Sequence, residues 1–225
     1  MKIHLGKLLS FNAGYVDTAS FLALHGLFAA HVTGNFVTLG AALVSDSQIG
    51  ALAKLAALPM FCLTVLCTKL IDQKCLKLQK NSYSLLLRLM FVFFSLAAVV
   101  SIIYLPFPKH DTLTSFIVGM SLVAAMAIQN AIHRIHWTKE SPTTVMTGST
   151  TQLMLDISEL FSKPEAEKKA QIYQRIFSLL PGMLSFAFGC SVAALLYKFA
   201  LLWLFVMPLF LHSLTYIYRE NYKKA

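Results

Sequence analysis

Apolar stretches close to twenty residues long recur from one end of this chain to the other, and no other feature narrows its folding options as much. An α-helix rises about 1.5 Å per residue, so about twenty apolar residues cover the roughly 30 Å hydrocarbon core of a bilayer. Six such stretches fall at 5–25, 51–69, 84–105, 113–133, 176–197 and 201–218. With 57% of the 225 residues hydrophobic and only 13% charged, too few polar side chains remain to cover a soluble globule. The expected fold is an all-α, polytopic membrane bundle. Soluble enzymes, nucleic-acid modules and disordered tails are excluded.

The basic start, MKIHLGKLLSF, has the flank of a signal peptide, but its apolar stretch runs on through Asn12, Tyr15 and Asp17 without a cleavage site. It is read as a retained first span. Cys62, Cys67, Cys75 and Cys190 form no CxxC pair and keep no regular spacing to histidine, so neither a disulfide framework nor a zinc site follows.

Two shorter segments, 33–45 and 147–161, read as helices yet fall short of a full crossing. Lysines and arginines collect in cytoplasmic loops, and they decide what these segments do. If both crossed, the basic stretch Lys69, Lys74, Lys77 and Lys80 would face outward. If both re-enter on the side they left, only Lys54, Lys109 and Lys198 of the 19 basic residues are outside. Six spans with two re-entrant half-helices, and both termini in the cytoplasm, satisfy the charge bias.

The same arrangement exposes a repeat. Asp17, His31-Val-Thr33-Gly34-Asn35 and Leu58-Pro59 in the first half are followed in the same order by Asn130, Val145-Met-Thr147-Gly148-Ser149 and Leu180-Pro181 in the second. Three spans per half is an odd number, so the second half enters from the opposite face. The expected organisation is an inverted 3+3 repeat, residues 1–106 with half-helix 33–45 and residues 107–225 with half-helix 147–161.

A carboxylate at Asp17 stands about 18 Å along the first helix, where an insertion cost of about 2.5–3.5 kcal/mol requires it to face protein or water. It either carries a coupling proton or cation, or holds re-entrant backbone in place. Gln129 and Asn130 offer amide dipoles at the matching place in the second half, for solute binding or as interhelical glue. Thr33-Gly34-Asn35 and Thr147-Gly148-Ser149 are expected to start the two half-helices, with threonine as N-cap and the first backbone amides free to bind a small polar or anionic solute. The other reading of 147–161 is an interfacial helix on the cytoplasmic surface. His31 flanks the first dip, and His133 and His136 lie on one helix end; a metal site would need further ligands at matching spacing. No nucleophile–base arrangement or phosphate-cradling loop is present.

The stretches Ala13-Gly-Tyr-Val-Asp17, His25-Gly-Leu-Phe, Ala30-His-Val-Thr33-Gly34-Asn35, Gln129-Asn130-Ala, Thr143-Thr-Val-Met-Thr147-Gly148 and Leu180-Pro181-Gly182 run in order. In these the chain resembles the YoaK family of bacterial membrane proteins, a domain of unknown function. The resemblance implies a polytopic protein of the bacterial inner (plasma) membrane, sometimes described as a small permease. Val32 and Ser149 depart from the family's common pattern.

The leading expectation is a small transporter or channel-like permease, not an enzyme. Its solute would bind among Asp17, His31, Thr33, Gly34, Asn35, Gln129, Asn130, Thr147, Gly148 and Ser149, with Asp17 as coupling group. Neither cofactor nor metal is called for. Expected partners are the bilayer, a small solute or ion, and further copies of the chain, but not nucleic acid. A non-transporting scaffold or sensor is the alternative. An intramembrane enzyme ranks third and would need Asp17, His31 and His133 to converge on a metal.

Overall fold

The computed structural model describes residues 5–44, 49–137, 141–144 and 146–218. Ser45, Lys139, Glu140, Val145 and the terminal basic residues Lys2, Arg219, Lys223 and Lys224, used in the sequence reading, lie outside them. The described chain is helical: α1 (Leu5–Ala23), α2 (Gly34–Leu43), α3 (Ala51–Lys77), α4 (Ser82–Tyr104), α5 (Leu113–His136), α6 (Met146–Phe161), α7 (Ala166–Phe199) and, after a 3-10 turn at Leu201–Trp203, α8 (Val206–Tyr218).

Four of these, α3, α4, α5 and α7, are long and apolar enough to cross a membrane. The sequence pointed to six spans. α8 has only 13 residues, and α1 carries Lys7, Asn12 and Asp17 within its 19, which lowers its mean hydropathy. α1 can keep Asn12 and Asp17 because it is enclosed by α7, α8 and α5, whereas Lys7 is exposed. Two helices also outrun their predicted ends: α3 continues past residue 69 to Lys77, and α7 starts at Ala166 rather than 176. The added turns are rich in Lys, Glu, Gln and Ala, which are good helix formers in water although they end an apolar run.

α5 is the central helix. Its most apolar window is 83% buried, against 17% for α3 and 11% for α7, whose apolar outer faces suit lipid. Small residues between Ser121 and Ala131 let neighbours approach α5 closely. α7 lies on α1, and α3 lies on α5; α2 rests on α3 and α6 on α7; α4 packs on α5 and α8 on α1. At the α1–α7 crossing the backbones nearly touch. A Cβ on Gly14 would fall on the Phe186 carbonyl, and one on Gly189 on the Phe11 carbonyl.

Polar ties mark the two ends of the bundle. At one end the Gly50 amide donates to Asp111 Oδ1 at 2.7 Å, with Gly50 packed on His25, so the end of α1 and the starts of α3 and α5 are together. At the other, Ser82 Oγ donates to Asp72 Oδ1 at 2.6 Å, and His136 Nε2 lies 3.5 Å from the same carboxylate, gathering the end of α3, the start of α4 and the end of α5.

Candidate functional site

After Ala23 the chain reverses through two residues in the left-handed region, His25 (φ 56°) and Gly26 (φ 80°). Residues 27–31 then run back beside α1. Unpaired backbone groups in a bilayer cost several kcal/mol each, so this segment needs partners, and two buried side chains supply them. Asp17 Oδ1 accepts the amides of Ala30 at 2.6 Å and His31 at 3.3 Å. Asp17 Oδ2 pairs with His31 Nδ1. Asn35 Oδ1 accepts the Phe28 amide and Asn35 Nδ2 donates to the Phe28 carbonyl, both at 2.8 Å. Asp17 and Asn35 thus grip the returning strand at successive points. The Asp17 side chain is 6% exposed and that of His31 32%, with the imidazole edge-on to Phe186 of α7.

The start of α2 differs from the sequence expectation. Thr33 is exposed, in helical conformation, and makes no side-chain cap. The amides of Gly34, Asn35 and Phe36 donate to the carbonyls of His31, Val32 and Thr33 at 2.8–3.2 Å. These 3-10 bonds consume the donors that a bound anion would have used. Gly34 packs closely on Phe28: a Cβ there would sit 3.1 Å from its ring, a tight contact.

The second motif is held more loosely. Asn130 Nδ2 donates to Thr144 Oγ1 at 3.1 Å, and Gln129 Nε2 lies 3.4 Å from Thr143 Oγ1. Gln129 also reaches α1, donating to the Leu9 carbonyl at 3.1 Å, while Asn12 Nδ2 donates to Gln129 Oε1 at 3.4 Å. His133 Nε2 is 3.0 Å from the Ser141 carbonyl. α6 begins at Met146, so Thr147 lies inside its first turn and is not the N-cap residue.

A cavity of about 410 Å³ opens at this place, lined by Asn130, His133, Arg134, Pro142, Thr144, Gly148, Ser149, Gln152 and Leu179. Its volume suits a small molecule. Three sequence-predicted site residues, Asn130, Gly148 and Ser149, line it; Asp17, His31, Thr33, Gly34, Asn35, Gln129 and Thr147 are not in its lining. His133, Arg134, Thr144 and Gln152 were not anticipated as solute contacts. Their spacing held a signal for two of them: His133 and Arg134 share one helical face with Asn130. Thr144 gave none, because only the fold of the 141–144 segment brings it to Asn130. Among the described residues, no three His, Cys, Asp or Glu side chains converge on a metal site. His31 and His133 are committed to Asp17 and to the Ser141 carbonyl, on separate motifs.

Comparison with known proteins agrees with the multi-pass architecture. Residues 5–218 match the family model described as "Protein of unknown function (DUF1275)". The chain is 27% identical over 191 residues, 84% of its length, to UPF0700 transmembrane protein YoaK of Bacillus subtilis (strain 168), of which the match covers 81%. No solved structure matches the chain. The returning segment gripped by Asp17 and Asn35 and the helices suited to a bilayer are therefore features of a multi-pass membrane protein that belongs to the DUF1275 family and is a homologue of YoaK.

Proposed function

We propose that this protein is a small transporter or channel-like permease of the bacterial inner membrane, which takes a small polar or anionic solute into the cavity at the start of α6. The cavity is the observation that carries the reading. It joins an amide (Asn130), two hydroxyls (Thr144 and Ser149), the Arg134 guanidinium and the first turn of α6, whose positive dipole end favours negative charge.

Two inverted repeats, 1–106 and 107–225, fit the architecture. Exchanging α1–α4 for α5–α8 converts the α1–α7 contact into α5–α3, α2–α3 into α6–α7, and α4–α5 into α8–α1, all of which occur. Asp17 to His31 and Asn130 to Thr144 also span the same 14 residues. Re-entry of 24–43 is supported by two levels in the bundle. His31 lies beside Asp17, well below the end of α1, whereas Gly50, after α2, lies beside His25 at that end. On this reading α1 and α8 complete the six spans because their neighbours shield what lipid would not tolerate. The distribution of basic residues in the sequence supports cytoplasmic termini.

The Asp17–His31 pair is the titratable unit available for coupling. A second reading, a non-transporting scaffold or sensor, is favoured by one observation: both Asp17 oxygens are engaged in holding the strand. Reconstitution separates the two. Liposomes with the full chain should take up or release members of a panel of small carboxylates, phosphate and neutral polar solutes, and Ser149→Trp, which fills the cavity, should remove that flux. Silence across the panel, or flux unchanged in Ser149→Trp, would defeat the cavity reading.

A further inference from the structure

The polar groups around the α6 cavity are graded by depth. Arg134 and Gln152 are exposed at its mouth, whereas Thr144 and Ser149 are only 4% and 6% exposed and form its floor. Asn130 is half-buried and stands one helical turn before Arg134 on the same face of α5. Pro142 and Leu179 supply apolar wall.

These groups have bonding capacity to spare. Among the described residues the Ser149 hydroxyl makes no hydrogen bond, and the Arg134 guanidinium makes neither a hydrogen bond nor an ion pair. Ser149 Oγ is not sealed inside the protein, as the unpartnered Asn12 Oδ1 and Ser101 Oγ are, and so opens on the cavity that it lines. Thr144 Oγ1 accepts from Asn130 Nδ2, which leaves the threonine proton to donate and Asn130 Oδ1 to accept. Gln152 spends Nε2 on Asp156 and keeps Oε1.

The charge around the cavity follows from the groups that meet there. The N-terminus of α6 carries the equivalent of about +0.5 charge and the C-terminus of α5 about −0.5, so the two helix ends cancel. Asp156, one hydrogen bond beyond Gln152, is balanced by Arg175. His133, bonded to the Ser141 carbonyl, can only add positive charge. No Asp or Glu is among the described residues of the lining, so the Arg134 charge stands uncompensated.

A ligand that answers all of these groups carries one negative charge, a hydroxyl and a short carbon frame. The planar fork of Arg134 matches a carboxylate. A hydroxyl both donates and accepts, as Asn130, Thr144 and Ser149 together require. An ammonium group would find no carboxylate in the lining, and a dianion would outweigh the single guanidinium. A neutral polyol would leave Arg134 unmatched, and an unsubstituted carboxylate would leave the hydroxyls of the floor unmatched.

We infer that the α6 cavity binds a small hydroxy-monocarboxylate, with its carboxylate on Arg134 and its hydroxyl among Asn130, Thr144 and Ser149. The inference rests on the cavity reading above for the place of binding, and not on transport.

The test is equilibrium dialysis of labelled lactate, a small member of this class, against the purified full chain in mild detergent. Propionate, alanine, glycerol and phosphate serve as competitors. Lactate should bind saturably, and propionate, which lacks the hydroxyl, and glycerol, which lacks the charge, should each compete about tenfold more weakly or worse. Alanine and phosphate should also compete more weakly than unlabelled lactate. Arg134→Gln should weaken lactate binding by about tenfold or more, with Arg134→Lys between it and wild type, because lysine keeps the charge and loses the fork. Arg134 is exposed and unbonded among the described residues, so Arg134→Gln should unfold at the wild-type temperature, which separates lost binding from lost folding. Stronger competition by glycerol or phosphate than by unlabelled lactate would overturn the hydroxycarboxylate, and lactate binding that ignores both Arg134→Gln and Ser149→Trp would overturn the site. Absence of saturable lactate binding would overturn the inference outright; flux of another solute that is lost in Ser149→Trp would then leave the permease reading standing.

Discussion

Asp17 and His31 are 14 residues apart in the chain, yet the carboxylate of one pairs with the imidazole of the other and also accepts the backbone amide of His31. Asn130 and Thr144 repeat that spacing with neutral groups, an amide donating to a hydroxyl at 3.1 Å. A charged clasp thus closes one returning segment and a neutral, weaker one the other. The solute-sized cavity lies at the weaker clasp.

If the Asp17 clasp holds the 27–31 segment, Asp17→Ala should cost about 2–4 kcal/mol, since it leaves the buried Ala30 amide and its neighbour without an acceptor. Asp17→Asn keeps one carbonyl oxygen and should cost less. Thermal unfolding in detergent, with hydrogen exchange at Ala30 and His31, measures both. An alanine variant as stable and as protected as wild type would remove the structural role. In liposomes, pH-dependent flux that persists in Asp17→Asn would remove the coupling role.

The α1–α7 crossing predicts a sharp dependence on two glycines. Gly14→Ala and Gly189→Ala each push a methyl onto a backbone carbonyl of the facing helix, so the helices must separate. A loss of about 1–3 kcal/mol is expected for each. A Cβ on Gly40 meets nothing within 4 Å, so Gly40→Ala should be neutral or slightly stabilising and serves as the control. Equal behaviour of all three variants would contradict the packing.

Arg175 on α7 donates to Asp156 on α6 through Nη2 at 2.7 Å and Nε at 3.2 Å. This bonding, aided by Gln152 and opposed by burial, holds the Asp156 carboxyl below the usual carboxylate range. A depressed folded-state pKa means that the contribution is complete above the unfolded value of about 3.9 and is lost as pH falls through the folded value. Wild type should therefore lose stability on acidification below about pH 4 more steeply than Asp156→Asn, which should be weaker at neutral pH and flatter in acid. Parallel pH profiles for the two proteins would show that the pair contributes nothing.

Sidedness tests the inverted arrangement directly. Single cysteines replacing Lys77, at the end of α3, and Lys109, before α5, in a background without native cysteines should react with a membrane-impermeant thiol reagent from opposite sides in intact cells and inverted vesicles. Labelling of both from one side would contradict the proposed topology.

Much of the architecture is legible in the sequence, because bilayer solvation acts on local composition. Apolar runs, the basic loops and the paired Thr-Gly and Leu-Pro landmarks located the helices and both short segments to within a turn or so. The exceptions are the end of α3 and the start of α7, where charged turns continue as helix in water. That Asp17 must find partners was equally visible, since no isolated carboxylate is tolerated inside an apolar span.

What composition could not assign was the partner of each polar group. Asp17 accepts Ala30 and His31, Asn35 clasps Phe28, and the amides of Gly34 to Phe36 bond within their own turn rather than to a ligand. These outcomes depend on where an irregular segment returns relative to α1, a long-range property set by the left-handed residues His25 and Gly26 and by packing against α7. The same holds for Thr144 at the cavity, unremarkable in the sequence. Residue type alone determined that this chain must enter a bilayer and satisfy its backbone there; only tertiary structure decided which donors and acceptors were spent in doing so, because hydrogen bonds between distant segments exist only once those segments are packed.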